Sequence, residues 1–192
     1  MRANRLLQVA LCFVAGAAAA DVVDRVAVVV GNSVITESEV QQELRLTQLV
    51  NGEPPDTGPE QRRAAAERLV DQQLLRNEIE QEHFSPPEES EIDGMLRKFR
   101  QERFPGDGQF QAALQKYGLT EKELKQHFAW QLTVLRFTDS RFRAGVPEAP
   151  EQGANRLRPG ATDGAGVDEQ MDAWLKDSRS HTRIVFKKGA FQ

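Results

Sequence analysis

One cysteine, one tyrosine, two tryptophans and three histidines in 192 residues leave this sequence short of the side chains that carry most protein chemistry. Cys12 lies in an apolar N-terminal run, so beyond that run no disulfide, thiolate nucleophile or cysteine metal site is possible. His83, His127 and His181 are scattered, without a second His or a Cys at metal-ligand spacing, and no H-E-x-x-H occurs. Each reads as a surface or half-buried side chain. There is no G-x-S-x-G and no Gly-rich phosphate loop after a strand. A basic excess is missing too: 25 Lys and Arg stand against 29 Asp and Glu, which argues against a nucleic-acid partner. The acidic pairs Glu88-Glu89 and Asp168-Glu169 fall at expected helix starts, where carboxylates offset the helix dipole. The basic run Arg97 to Arg103 has acids nearby and reads as a solvated face. No enzymatic signature emerges, and neither a cofactor nor a metal is expected.

Long apolar runs are absent after the N-terminus. There, Arg2 and Arg5 precede an apolar run from Leu6 to Ala17, followed by Ala18-Ala19-Ala20 and Asp21. This pattern predicts a signal peptide over residues 1–20 with cleavage after Ala20. The run is shorter than the roughly 20 residues of a membrane-spanning helix; the alternative is an uncleaved N-terminal anchor. Cys12 follows Leu11 rather than a small residue, so a lipoprotein reading is rejected. Cleavage would remove the only Cys and two Arg, making the net charge of −4 two units more negative. Residues 21–192 suffice for one core. The expected product is a soluble exported protein without stable membrane insertion; its oligomeric state is open.

Both ends of that product supply strands. Val26 to Val30 is β-branched except for Ala27, and Val34-Ile35 answers it across Gly31-Asn32-Ser33, a tight-turn sequence. Thr36-x-x-Glu39 is a capping box opening a helix with Val40 and Leu44 on one face. Thr57-x-x-Glu60 predicts the start of a long helix ending near His83, striped by Ala66, Val70 and Leu74 and by Leu75 and Ile79. Ser85-Pro86-Pro87-Glu88 predicts a third start, with Pro in the first turn, before Ile92, Met95, Leu96 and Phe99. A short helix with Phe110, Leu114 and Tyr117 stops at Gly118, and Thr120-x-x-Glu123 opens the last long helix, through Phe142. Residues 144–166 read as a flexible linker rich in Pro, Gly and Ala. Met171, Trp174 and Leu175 then mark a short helix, Thr182 to Phe186 a strand, and the final KKGAFQ carries no pattern. The fold class expected is mainly α with a small antiparallel β-sheet, built from residues 21–143 and completed by residues 167–192.

The last long helix carries two apolar stripes: Leu124, Phe128, Leu132 and Leu135 on one, Trp130, Val134 and Phe137 on the other. A surface helix needs one. Either the helix is central and buried on both sides, or its second stripe lines an open groove opposite the helices carrying Phe99 and Phe110.

The stretch DRVAVVVGNSVITESEVQQEL resembles the N-terminal domain of SurA-type periplasmic chaperones, and is similar to matching segments of PrsA-like and PpiD-like folding factors. The similarity continues through RLVDQQLLRNEIEQE, SPPEESEID and YGLTEKEL. It implies a peptide-binding module, similar also to trigger factor, that a C-terminal helix and strand return to complete; Trp174 to Phe186 suits that role. In SurA-like proteins one or two parvulin prolyl-isomerase domains are inserted before that return. Here residues 145–166 stand in their place, too few for a domain, which takes at least about 50. The resemblance thus implies the chaperone part without the isomerase, and no catalytic residue is carried over.

The function so implied is ATP-independent holding of unfolded or nascent exported polypeptides, envelope and outer-membrane proteins among them, in the periplasm of a Gram-negative-type bacterium. The client-binding candidates are Phe99, Phe104, Phe110, Tyr117, Trp130, Val134 and Phe137, with Phe128 beside them. Adaptable apolar surface suits clients of varied sequence, but aromatics are only 7% of the chain, so most must be core. The alternatives are an accessory or structural subunit with one fixed partner, or a member of a prolyl-isomerase family retaining only its non-catalytic domain.

Overall fold

A computed structural model describes residues 24–142 and 163–191. The signal peptide expected at 1–20 and most of the linker expected at 144–166 lie outside them.

The described chain runs β1 (Val26–Val30), β2 (Ser33–Thr36), α1 (Glu37–Asn51), α2 (Pro59–Gln81), α3 (Glu89–Arg103), α4 (Gln109–Tyr117), α5 (Glu121–Phe142), α6 (Asp163–His181) and β3 (Ile184–Phe186). The architecture is mainly helical with one antiparallel sheet of order β2-β1-β3, as the sequence led us to expect. β1 is central because both ends of the chain converge on it: Val28, Val29 and Val30 pair with Ile35, Val34 and Ser33 on one side and with Phe186, Val185 and Ile184 on the other. Ala27 is an extra residue in the β1–β2 register, a bulge, yet its carbonyl accepts from Lys187 N–H at 2.8 Å. Gly31 supplies the one positive φ of the hairpin turn, +58°, and its N–H donates to the Arg183 carbonyl at 2.8 Å. The turn therefore joins β3 to the sheet as well as joining β1 to β2.

Two of the expected helix starts form as read. Glu39 N–H donates to Thr36 Oγ1 while Thr36 N–H donates to Glu39 Oε2, and the same reciprocal pair links Thr120 and Glu123. Two others form differently. Thr57 caps nothing: Gly58 is the N-cap of α2, Pro59 its first residue, and Asp56 Oδ1 holds the Gly58 N–H. Pro86 and Pro87 precede α3, which begins after Glu88 and is capped by Glu91 reaching back to the Glu88 N–H at 3.0 Å. The C-terminal helix is longer than expected. It begins at Asp163, so the last residues of the expected linker are helical. The tail also has a role: Ala190 is buried, and Phe186 and Phe191 pack together beneath Arg63, whose guanidinium lies 3.6 Å from the Phe186 ring centroid.

Packing divides into three apolar clusters. The first joins the sheet to Val40 and Leu44 of α1 and to Ala65, Ala66, Val70 and Leu74 of α2. The second joins the other end of α1, through Leu46 and Leu49, to α3, α4 and the start of α5 at Leu124 and Phe128. The third joins Leu75 and Ile79 of α2 to Phe137 of α5, with Trp174 and Leu175 of α6 against it. Helices α1, α2 and α5 each serve two clusters. α1 and α2 pack on each other, and a groove lies between them and the α5–α6 pair.

Candidate functional site: an open groove between four helices

The groove measures about 620 Å³, within the range of roughly 300–1,000 Å³ typical of ligand sites. Helices α1, α2, α5 and α6 line it. Its α5–α6 side is largely apolar, with Trp130, Val134, Leu135, Met171 and Leu175, and Leu75 of α2 adds to it. Leu135 is 64% exposed, one of two large apolar residues so open among the described residues, the other being Val34 of β2. Trp130 is half-buried and lies under the Arg76 guanidinium, 4.4 Å from its ring centroid. That contact holds the indole in place while leaving part of it open.

The α1–α2 side is polar. Glu43 is 7% exposed. Its Oε1 accepts from Thr47 Oγ1 at 3.2 Å and from Arg68 Nε at 3.4 Å, and Arg68 Nη2 donates to Thr47 Oγ1 at 3.4 Å. His127 of α5 also lines the groove. Burial pushes its pKa below the ordinary histidine value; the Glu43 carboxylate opposes that shift and the Arg68 guanidinium adds to it. Among the described residues no group of three or more His, Cys, Asp or Glu is placed to hold a metal ion.

The wall formed by α6 is clamped in place. Arg179 donates through Nε to Asp71 Oδ1 at 2.6 Å, through Nη1 to Glu67 Oε2 at 2.9 Å and through Nη2 to the Glu67 carbonyl at 3.1 Å. Its pKa is raised, chiefly by the Asp71 bond. At the far end of α5, Arg141 pairs with Glu78 at 2.7 Å and also with Glu82, tying α5 to the end of α2.

Of the residues the sequence nominated, the groove takes two, Trp130 and Val134. Phe137 is fully buried, edge-to-face with Phe84 at 5.6 Å, and belongs to the third cluster. Phe110 and Tyr117 are buried in the second cluster, where the Tyr117 hydroxyl donates to the Glu53 carbonyl at 2.6 Å. Phe99 and Phe104 are half-buried beside them, with Phe99 5.6 Å from Phe104 and 5.4 Å from Phe128. The helices carrying Phe99 and Phe110 therefore do not form the opposite wall; α1, α2 and α6 do. The stripe assignment on α5 needs correction for the same reason. Leu135, grouped with the core stripe, faces out, Leu132 is only half-buried, and Phe137, grouped with the groove stripe, faces in. The α5 stripes are read relative to neighbours that periodicity does not reveal. Met171 and Leu175, four residues apart on α6, were legible as an apolar pair. Nothing in the sequence connects Glu43 with Arg68, 25 residues away.

The model of the SurA-like N-terminal domain family matches residues 5–137. The chain belongs to this family. The match covers β1 through most of α5 and stops before α6 and β3, so the return of the C-terminal strand to the sheet is seen in the structure alone. A comparison with curated proteins finds no match. Membership makes the chain one of a family of chaperone-type folding factors that bind unfolded polypeptides, periplasmic in bacteria. No helix among the described residues is long and apolar enough to cross a membrane.

Proposed function

We propose that this SurA-like protein is an exported, ATP-independent holding chaperone of the periplasm, and that unfolded envelope and outer-membrane proteins bind in the groove between α1, α2, α5 and α6. The observation that carries the reading is the groove itself. It is open, lined by apolar side chains from α5 and α6, and one of them, Leu135, is 64% exposed. Trp130, Met171, Leu175 and Val134 present one indole, one thioether and branched aliphatic groups. Such a set accommodates varied apolar side chains without fixing one shape. Holding, rather than catalysis, is the role this module is proposed to play. Residues 143–162 separate α5 from α6, too short a stretch for a folded isomerase domain, which needs at least about 50 residues.

The test is light scattering from a denatured outer-membrane protein diluted into buffer. The protein should suppress aggregation, without ATP, near equimolar ratio. Replacing Leu135 or Met171 by Ser should weaken that suppression. A protein that suppresses nothing, or whose groove variants hold clients as well as the parent does, refutes the reading. In a separate assay the purified chain should leave the rate of prolyl isomerisation in a short peptide at its uncatalysed value; a sustained increase after removal of host isomerases would show that it is an enzyme.

A further inference from the structure

Unfolded chains share one property that preformed helices lack: backbone N–H and C=O groups bonded only to water, with no intramolecular partner. An apolar wall cannot distinguish an extended segment from an amphipathic helix, since both offer apolar side chains. A donor and an acceptor set side by side beside that wall can, because only the extended segment has main-chain groups left to bond.

Glu43 and Arg68 have that arrangement. Both line the groove, on the side facing α5 and α6. Their mutual bond is slack at 3.4 Å, whereas charge-assisted pairs usually close to about 2.7–2.9 Å. The contrast within α2 is direct: Arg179 grips Asp71 and Glu67, on the same helix, at 2.6 and 2.9 Å. α2 therefore has a tight tie where a tie is needed, and the Glu43–Arg68 contact is not one. Among the described residues Arg68 Nη1 and Glu43 Oε2 make no hydrogen bond, and the Arg68 side chain is 40% exposed. Neither atom is among the buried polar atoms without a partner, so both are open to the groove, where a bound main-chain amide can reach them. Thr47 Oγ1 sits between them and holds both in register.

We infer that the groove binds its client in extended form, with Arg68 donating to a main-chain carbonyl and Glu43 accepting a main-chain N–H, while the flanking side chains lie against Trp130, Val134, Leu135 and Leu175. The occupant is thus an unpaired, extended apolar segment of an unfolded polypeptide; a preformed helix is rejected because its amides are spent. Glu43 and Arg68 select for unfoldedness, and the apolar wall supplies most of the affinity. The inference rests on the proposed holding function and says what that groove recognises.

The probe is a fluorescein-labelled decapeptide of Val, Phe, Ser and Gln with blocked ends and no charged side chain, read by fluorescence polarisation against the full protein. Single amides are replaced in turn by esters, which remove one N–H and keep the chain extended. At one or two positions the ester should weaken binding about tenfold, the scale of one hydrogen bond to a charged acceptor. The double variant Glu43→Leu/Arg68→Met leaves neither charge without its partner and should fold, checked by its melting temperature. It should bind the all-amide peptide about tenfold more weakly and lose the ester effect. Ester peptides that match the amide peptide at every position overturn the inference, as does a folded double variant with unchanged affinity. Tighter binding only when the peptide carries Asp or Glu would make Arg68 a side-chain receptor, and also overturns it. If the all-amide peptide does not bind at all, the groove itself is not the client site, and the holding function falls with it.

Discussion

Phe137 and Leu135 stand two positions apart on α5, about 200° around the helix from each other at 100° per residue. Phe137 is fully buried in the third cluster and edge-to-face with Phe84; Leu135 is 64% exposed on the groove. Phe137→Ala should therefore be costly. Removing a fully buried phenyl costs about 3–5 kcal/mol, and losing the ring pair belongs to the upper part of that range. A domain of this size has roughly 5–15 kcal/mol in total. At about 2–4 °C per kcal/mol for 150–250 residues, the melting temperature should fall by roughly 6–20 °C. Leu135→Ser should stay within about 0.5 kcal/mol, as exposed substitutions do, and yet lower the capacity to suppress client aggregation. Urea titration followed by far-ultraviolet circular dichroism gives the stabilities; light scattering gives the holding. The reasoning fails if Phe137→Ala costs less than about 1 kcal/mol, or if Leu135→Ser destabilises as much as Phe137→Ala. It fails also if the two variants lose holding in proportion to their loss of stability.

Arg179→Met should loosen α6 from α2, because three hydrogen bonds to Asp71 and Glu67 disappear together; the expected cost is about 1.5–3 kcal/mol, and amide hydrogen exchange in α6 should accelerate more than in α3. Thr36→Ala and Thr120→Ala should each cost about 1 kcal/mol by removing one half of a capping box, measured by denaturant titration. Stability should also fall in mild acid through His127. Its folded pKa lies below the ordinary 6.5, so between those two values the unfolded chain binds more protons than the folded one. The neutral-imidazole stability is complete above about pH 6.5 and is lost as pH falls through the folded pKa. His127→Phe should flatten that part of the stability profile, and a wild-type profile that rises on acidification across this interval would contradict the assignment.

Much of the architecture was legible locally. β-branched residues flanking Gly31-Asn32 specify a hairpin, because Gly31 alone must take positive φ and Gly does so without steric cost. The boxes at Thr36 and Thr120 specify helix starts within four residues. Thr57 misled for a physical reason: Pro59 is pre-set for the first helical position, and the start moved to Gly58. The groove was legible only in half. Of the residues nominated from the sequence, Trp130 and Val134 line it, whereas Phe99, Phe104, Phe110, Tyr117 and Phe137, nominated by residue type, lie in the core or beside it.

Periodicity, caps and turn chemistry by themselves determined which segments are helix and which are strand, and that both ends of the chain carry strands. These are interactions among residues a few positions apart, so the sequence contains both partners of each one. The tertiary structure alone decided which α5 stripe meets solvent, that α6 closes the groove, and that Glu43 and Arg68 stand together inside it. Burial is a relation between elements: the same apolar helix face is core or binding surface according to what packs on it. The three clusters bury other faces of α1, α2 and α5 and leave the Leu135 face uncovered, and no local pattern records that arrangement.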